Sequence, residues 1–241
     1  VRSRGLGDVY KRQILDFGSQ YTQLIARRVR ECQVYSEIHP YHIKVDQVRS
    51  LSPKGIILSG GPASVYEEHA PLCDPSLLRM GIPILGICYG MQLIGHLLGG
   101  EITHSEKREY GKAQLIIDRE EKLFKGIGGK GSQLVVWMSH GDQVKRLPPR
   151  FDAVAHSKNT PFAAIEAPQK KIYGLQFHPE VVHTPKGIDL IRNFLFHICE
   201  CSNLWTMHSF LEQTTDELRK KIPVGKVICA LSGGVDSTVV A

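Results

Sequence analysis

Short apolar runs alternate along this chain with longer stretches in which apolar residues recur every three or four positions. Ile14-Leu15 closes at Asp16-Phe17-Gly18, as a strand closes at a loop. The next stretch, residues 21–31, puts Leu24, Ile25, Arg28 and Val29 on one helical face. Gly55-Ile56-Ile57-Leu58 runs into Ser59-Gly60-Gly61-Pro62, and Pro83-Ile84-Leu85-Gly86-Ile87 runs into Cys88-Tyr89-Gly90. Residues 91–98 then predict an apolar helix stopped by Gly99-Gly100. This strand–loop–helix order predicts an α/β fold, a doubly wound and mostly parallel sheet. Ligands of such sheets bind at the carboxyl ends of the strands, where these tight loops fall.

From residue 101 to 167 the pattern changes. Short strand candidates at 115–117, 134–137, 153–156 and 163–165 are separated by turn residues, which predicts an antiparallel or mixed extension. A further strand, 171–177, ends at His178. A closing helix over 185–199 carries Ile188, Ile191, Phe194, Leu195 and Ile198 on one face. A boundary is expected near 201–206, followed by an amphipathic helix over 208–221 that Pro223 ends. Val227-Ile228-Cys229-Ala230-Leu231 reads as a strand entering Ser232-Gly233-Gly234-Val235-Asp236-Ser237.

One strand and one glycine loop cannot bury a core, so the expectation is a second α/β domain truncated within residues 202–241. Residues 14–201 would form the first domain. Residues 1–13 are basic and show no strand pattern, although the first strand needs more apolar residues than Ile14 and Leu15. They are read as a foreign leader in place of the native start.

Charge and composition narrow the function classes. The formal net charge is +6, but Lys and Arg are scattered, and a cluster such as Arg27-Arg28-Val29-Arg30 lies on a helix. A nucleic-acid partner is therefore not expected. The apolar runs are too short to span a bilayer and no secretory segment opens the chain, so no membrane partner and a cytoplasmic location are expected. The six cysteines form no CxxC pair and no zinc pattern, so no metal site is expected.

Gly86-Ile87-Cys88-Tyr89-Gly90 has the G-x-C-x-G form of a nucleophile elbow, between an apolar strand and a helix. Its glycines permit the sharp turn, and the helix N-terminus would favour a thiolate at Cys88. Taken alone, the same pattern fits a buried structural cysteine equally well. Gln176-Phe177-His178-Pro179-Glu180 supplies a candidate base, His178, with a candidate orienter, Glu180, two residues on. Gly60-Gly61-Pro62 by itself is an ordinary turn, Gln92 could be a helix-surface residue, and His140 and Asp142 could be an interdomain or capping pair.

The elbow with Met91-Gln92, together with Phe177-His178-Pro179-Glu180, resembles the class I (triad) glutamine amidotransferases over residues 14–201. The resemblance implies that Cys88 attacks the glutamine side-chain amide, and that His178 and Glu180 complete the triad. It also implies that backbone N–H groups of Gly60 or Gly61 and of Tyr89 meet the oxyanion, and that Gln92, Ser139 and His140 lie at the glutamine site.

Ser232, Gly233, Gly234, Val235, Asp236 and Ser237 resemble the SGGxDS loop of N-type ATP pyrophosphatases, which implies ATP binding with Mg2+. Both motifs in this order, with Asp16-Phe17-Gly18-Ser19-Gln20-Tyr21 and Trp137-Met138-Ser139-His140-Gly141-Asp142, are similar to the GMP synthetase family. That similarity implies glutamine, ATP and XMP as substrates, with the XMP site and most of the ATP site beyond Ala241. No GMP formation is expected from this chain alone, and a homodimer is left open for the full-length enzyme. An amidotransferase component of another pathway, a cysteine hydrolase on the same elbow and a silent binding module are the alternatives.

Overall fold

The computed structural model describes residues 12–224, together with 228, 232–235 and 238. The chain divides into two compact units, Val1–Trp205 and Thr206–Ala241.

The first unit is built on one nine-stranded sheet of order β2-β1-β3-β4-β9-β8-β7-β5-β6. Its parallel half comprises β1 (Arg12–Asp16), β2 (Ser36–Pro40), β3 (Gly55–Leu58), β4 (Ile84–Ile87) and β9 (Ile172–Leu175). Its antiparallel half comprises β5 (Glu101–Ile117), β6 (Gln133–Arg146), β7 (Asp152–Ser157) and β8 (Ala164–Ala167).

Successive residues of the parallel strands point to opposite faces, and each face has its own core. Ile14, Ile57, Leu85 and Ile87 join one cluster, while Leu15, Ile56, Leu58 and Ile84 join the other. Helices cover both faces, which is why these strands read as continuous apolar runs. α1 (Thr22–Glu31) contributes Ile25, Ala26 and Val29 to the first core. α2 (Val45–Leu51) and α3 (Tyr89–Leu97) give Val48, Met91, Leu93 and Ile94 to the second. Each such side chain fully removed from water contributes roughly 1.5–3 kcal/mol.

The structure departs from the sequence expectations at four places. β1 begins at Arg12 rather than Ile14, and Gln13 is fully buried within it. Residues 1–11 lie outside the described residues. The short strands expected at 115–117 and 134–137 are the ends of two long arms, β5 and β6, paired as a hairpin with a break in register between His104 and Glu109. Along β6 every second residue is buried, but two of the buried positions hold His140 and Asp142, which hides the alternation from hydropathy.

α3 starts at Tyr89, because the Cys88 carbonyl already accepts from the Met91 and Gln92 N–H groups. The closing helix is α4 (Gly187–Arg192) continued as a π-helix (Asn193–Ile198). The bulge turns Asn193 inward, where its Nδ2 donates to the Leu123 and Lys125 carbonyls, both at 2.9 Å.

In the second unit α5 (Met207–Lys221) opens with a capping box. Thr206 Oγ1 accepts from the Ser209 N–H and Ser209 Oγ accepts from the Thr206 N–H, each at 3.1 Å. Arg219, Lys220 and Lys221 complement the helix C-terminus. The strand expected over 227–231 lies, apart from Ile228, outside the described residues, as do Asp236 and Ser237. No described helix is long and apolar enough to cross a membrane.

Candidate active site

Three loops at the carboxyl ends of adjacent parallel strands converge on Cys88. β4 delivers the cysteine itself in a left-handed conformation, φ 51° and ψ −106°, which an L-residue adopts only under constraint. The Cys88 N–H donates to the Leu175 carbonyl at 2.7 Å and the Gly90 N–H to the Ser59 carbonyl at 3.1 Å, so β9 and the loop after β3 hold the turn. Glycine is required at Gly90, because a Cβ there would sit 2.4 Å from the Leu58 carbonyl oxygen. A Cβ at Gly60 would come within 3.2 Å of His178 Cε1 and 3.8 Å of Cys88 Cβ, so the Gly60 backbone lies directly against both side chains.

His178 follows β9 and Glu180 stands two residues later. His178 Nδ1 donates to Glu180 Oε1 at 2.8 Å, with both side chains buried. Burial alone would lower the His178 pKa, but the Glu180 carboxylate and hydrogen bonds with Cys88 and Glu180 outweigh it and hold the imidazole well above its ordinary value. The pair is braced from outside. The His178 N–H donates to the Trp137 carbonyl at 3.0 Å, Thr184 Oγ1 donates to the His178 carbonyl at 2.7 Å, and the Tyr21 ring meets the imidazole edge-on with centroids 5.1 Å apart.

In front of Cys88 and His178 opens a cavity of about 540 Å³, whose walls include Gly61, Gln92, Ser139, His140 and Asp142. The Cys88 thiol lies 3.5 Å from the Ser139 carbonyl, and Gln176 Nε2 approaches its sulfur at 3.7 Å. Gln92 Nε2 donates to the Asp142 carbonyl at 2.7 Å and to Gln176 Oε1 at 3.3 Å, which locks the amide into the wall.

Of the residues expected from the sequence, Cys88, His178, Glu180, Gly60, Gly61, Gln92, Ser139 and His140 are brought together here. Tyr89 contributes only backbone, since its ring points away and its hydroxyl donates to the Pro71 carbonyl. The His140 ring is tied behind the wall, with Nδ1 donating to the Asp142 carbonyl at 3.0 Å.

Sequence reasoning missed the groups that hold these walls. Glu109, almost fully buried, accepts from Ser157 Oγ at 3.0 Å and Thr160 Oγ1 at 2.5 Å and lies 3.6 Å from His140 Nε2. Burial would raise its carboxyl, but hydrogen bonds from His140, Thr160 and Ser157 prevail and hold it below the usual range. Asp142 receives Ser64 Oγ, Tyr66 OH at 2.9 Å and His104 Nδ1 at 3.0 Å. Glu109 belongs to no local motif, whereas Asp142 closes the Trp137-Met138-Ser139-His140-Gly141-Asp142 segment already singled out in the sequence. Among the described residues no group of three or more His, Cys, Asp or Glu side chains could hold a metal ion.

In the second unit, the described part of the glycine loop has Gly233 at φ 78°, Ser232 and Gly234 exposed, and the Thr238 N–H donating to the Gly234 carbonyl at 3.1 Å, as a helix turn begins.

The model of the family "Glutamine amidotransferase class-I" matches residues 13–198. Proteins of Caldanaerobacter subterraneus subsp. tengcongensis and Heliobacterium modesticaldum, both named GMP synthase [glutamine-hydrolyzing], are 55% and 56% identical over 228 residues. These matches cover 95% of this chain, which spans only 44% of the length of either relative. Among solved structures, a GMP synthase component from Thermoplasma acidophilum superposes with a TM-score of 0.70 at 31% identity, covering 86% of this chain and 98% of that one. A glutamine amidotransferase of Thermotoga maritima shares the fold, with a TM-score of 0.57 over 88% of this chain and 85% of its own at 22% identity. The chain belongs to the class-I glutamine amidotransferase family.

Proposed function

We propose that the first unit hydrolyses glutamine through Cys88, His178 and Glu180, and that the ammonia serves the ATP-dependent amination of XMP to GMP in a longer protein. The observation that carries the chemistry is the alignment at Cys88: a cysteine on a strained elbow at a helix N-terminus, beside an imidazole whose far nitrogen is held 2.8 Å from a buried carboxylate. Cys88 Sγ, its proton held on His178, attacks the side-chain carbonyl carbon of glutamine. Backbone N–H groups of Gly60 or Gly61 and of Tyr89 meet the oxyanion, and losing one such donor costs about a hundredfold. The intermediate collapses as the amide nitrogen leaves with the His178 proton, giving ammonia and a γ-glutamyl thioester. His178 then removes a proton from water, which attacks the thioester, releases glutamate and restores the thiol.

The synthetase half of this reading rests on the names of the longer relatives and on the loop at Ser232, Gly233, Gly234 and Val235. The bare backbone of that loop would cradle the phosphates of ATP, and Mg2+ would neutralise their charge. The XMP-binding residues would then follow Ala241.

The test is ammonia release from glutamine by this chain, with Cys88→Ala beside it. Release that disappears in the variant is the expected result. Release that persists in Cys88→Ala would remove Cys88 from the reaction. Absence of release, together with failure of a glutamine-mimicking electrophile to prefer Cys88, would overturn the glutaminase reading.

A further inference from the structure

An amino acid bound with its side-chain amide at Cys88 brings two further charges into the cavity, an α-ammonium and an α-carboxylate. Desolvating either without a partner is costly. The cavity offers one buried carboxylate, Asp142, and among its lining residues a single Lys or Arg, which is Arg108.

The placement of Arg108 follows from the strand. Pairing between β5 and β6 breaks after His104 and resumes at Glu109↔His140 and Tyr110↔Ser139. Glu109 turns inward to Ser157 and Thr160, so its neighbours Arg108 and Tyr110 face the other way, both exposed and both on the cavity wall. Arg108 lies close to Gly141, between His140 and Asp142: its Nε is 3.9 Å from where a Cβ on Gly141 would stand, ordinary contact distance. Asp142 is already occupied by Ser64, Tyr66 and His104, and Arg108 makes no ion pair among the described residues. A guanidinium with a fixed fork of donors therefore stands uncommitted over the cavity, beside the strand that carries Asp142.

We infer that Arg108 is the partner of the substrate's α-carboxylate and so selects a free α-amino acid over a simple amide. The inference rests on the glutamine reading of the cavity. The guanidinium pairs with the carboxylate in a two-pronged, charge-assisted contact that a neutral side chain cannot reproduce. Tyr110 walls the same side.

The experiment measures protection of Cys88 from iodoacetamide, read by mass spectrometry. Two protectants are compared, glutamine and 4-aminobutanamide, which keeps the amide and the ammonium but lacks the carboxylate. In the unaltered chain glutamine should half-protect at a concentration about tenfold or more below that of 4-aminobutanamide. In Arg108→Met the two concentrations should converge, because glutamine alone weakens; Arg108→Lys should retain part of the difference. An unchanged ratio in Arg108→Met, or equal weakening of both protectants, overturns the assignment of Arg108. No protection by glutamine in the unaltered chain is a different failure: it overturns the glutamine reading of the cavity, and the inference with it.

Discussion

Glu180 holds His178 through a 2.8 Å contact in which one carboxylate oxygen is engaged, while the other, Oε2, is buried and accepts no hydrogen bond. The carboxylate faces the imidazole, which it helps to keep protonated well above the ordinary range, while the Arg28 Nε donates to the Glu180 carbonyl at 2.9 Å. Glu180→Gln removes the carboxylate's charge and leaves burial to dominate, so ammonia release should fall by about a hundredfold or more. The linkage has a definite sign. The folded-state pKa of His178 is raised, so its contribution to stability is fully present below the unfolded value of 6.5 and is lost as pH rises through the folded value. Urea unfolding between pH 6 and 9 should show this decline in the unaltered chain and a flatter profile in Glu180→Gln.

Glu166, on β8, titrates the same way in a lower window. It is 2% exposed and its Oε2 accepts no hydrogen bond. Burial, reinforced by the charge of Glu121, pushes its carboxyl up to about 7. A raised carboxyl stabilises below its unfolded value of 4.5 and loses that stabilisation as pH rises to about 7. Glu166→Gln should abolish this slope and be the more stable form at pH 8, as read by chemical denaturation at pH 5 and pH 8.

Gln13 occupies a fully buried position in strand β1, between β2 and β3, where Oε1 has no partner and Nε2 reaches Glu37 Oε2 at 3.3 Å. An apolar β-branched residue would remove an unsatisfied acceptor from the core. Gln13→Val should therefore raise the unfolding free energy by about 1–2 kcal/mol, visible as a higher urea midpoint with unchanged slope.

Gly90→Ala should damage the site more than a surface change of equal size. The added methyl would meet the Leu58 carbonyl at 2.4 Å, and neither the strand nor the helix can retreat without moving Cys88. A loss of about 2 kcal/mol or more in stability is expected, together with loss of preferential alkylation at Cys88.

The parallel half of the sheet and the Cys88–His178–Glu180 alignment were legible in the sequence because each depends on a few contiguous residues. A strand, a glycine and a helix specify the elbow, and His178 and Glu180 are two positions apart. The opposite wall was legible only in part: the resemblance pointed to Ser139 and His140, but nothing pointed to Arg108 or Glu109. Arg108, Glu109, His140 and Asp142 meet only because two long arms pair around a break in register, and no local pattern encodes a break. Polar residues at buried strand positions, His140 and Asp142 in β6 and Gln13 in β1, also erased the alternation by which a strand is recognised. In β6 the same substitution of polarity for hydropathy supplies groups that line the cavity, His140 and Asp142.

The left-handed backbone at Cys88 has a consequence for how the molecule comes apart. That conformation is uphill for a residue bearing a Cβ, and it persists because the Leu175 carbonyl and the loop after β3 grip the turn from either side. The turn is a cocked spring whose latch is the seam between β4 and its neighbours. Opening that seam would let the backbone relax and the sulfur swing out of line, but β4 is fully buried between β3 and β9, so the seam opens only with the cores on either face. Nucleophilic competence is thus as durable as the buried interior of the sheet.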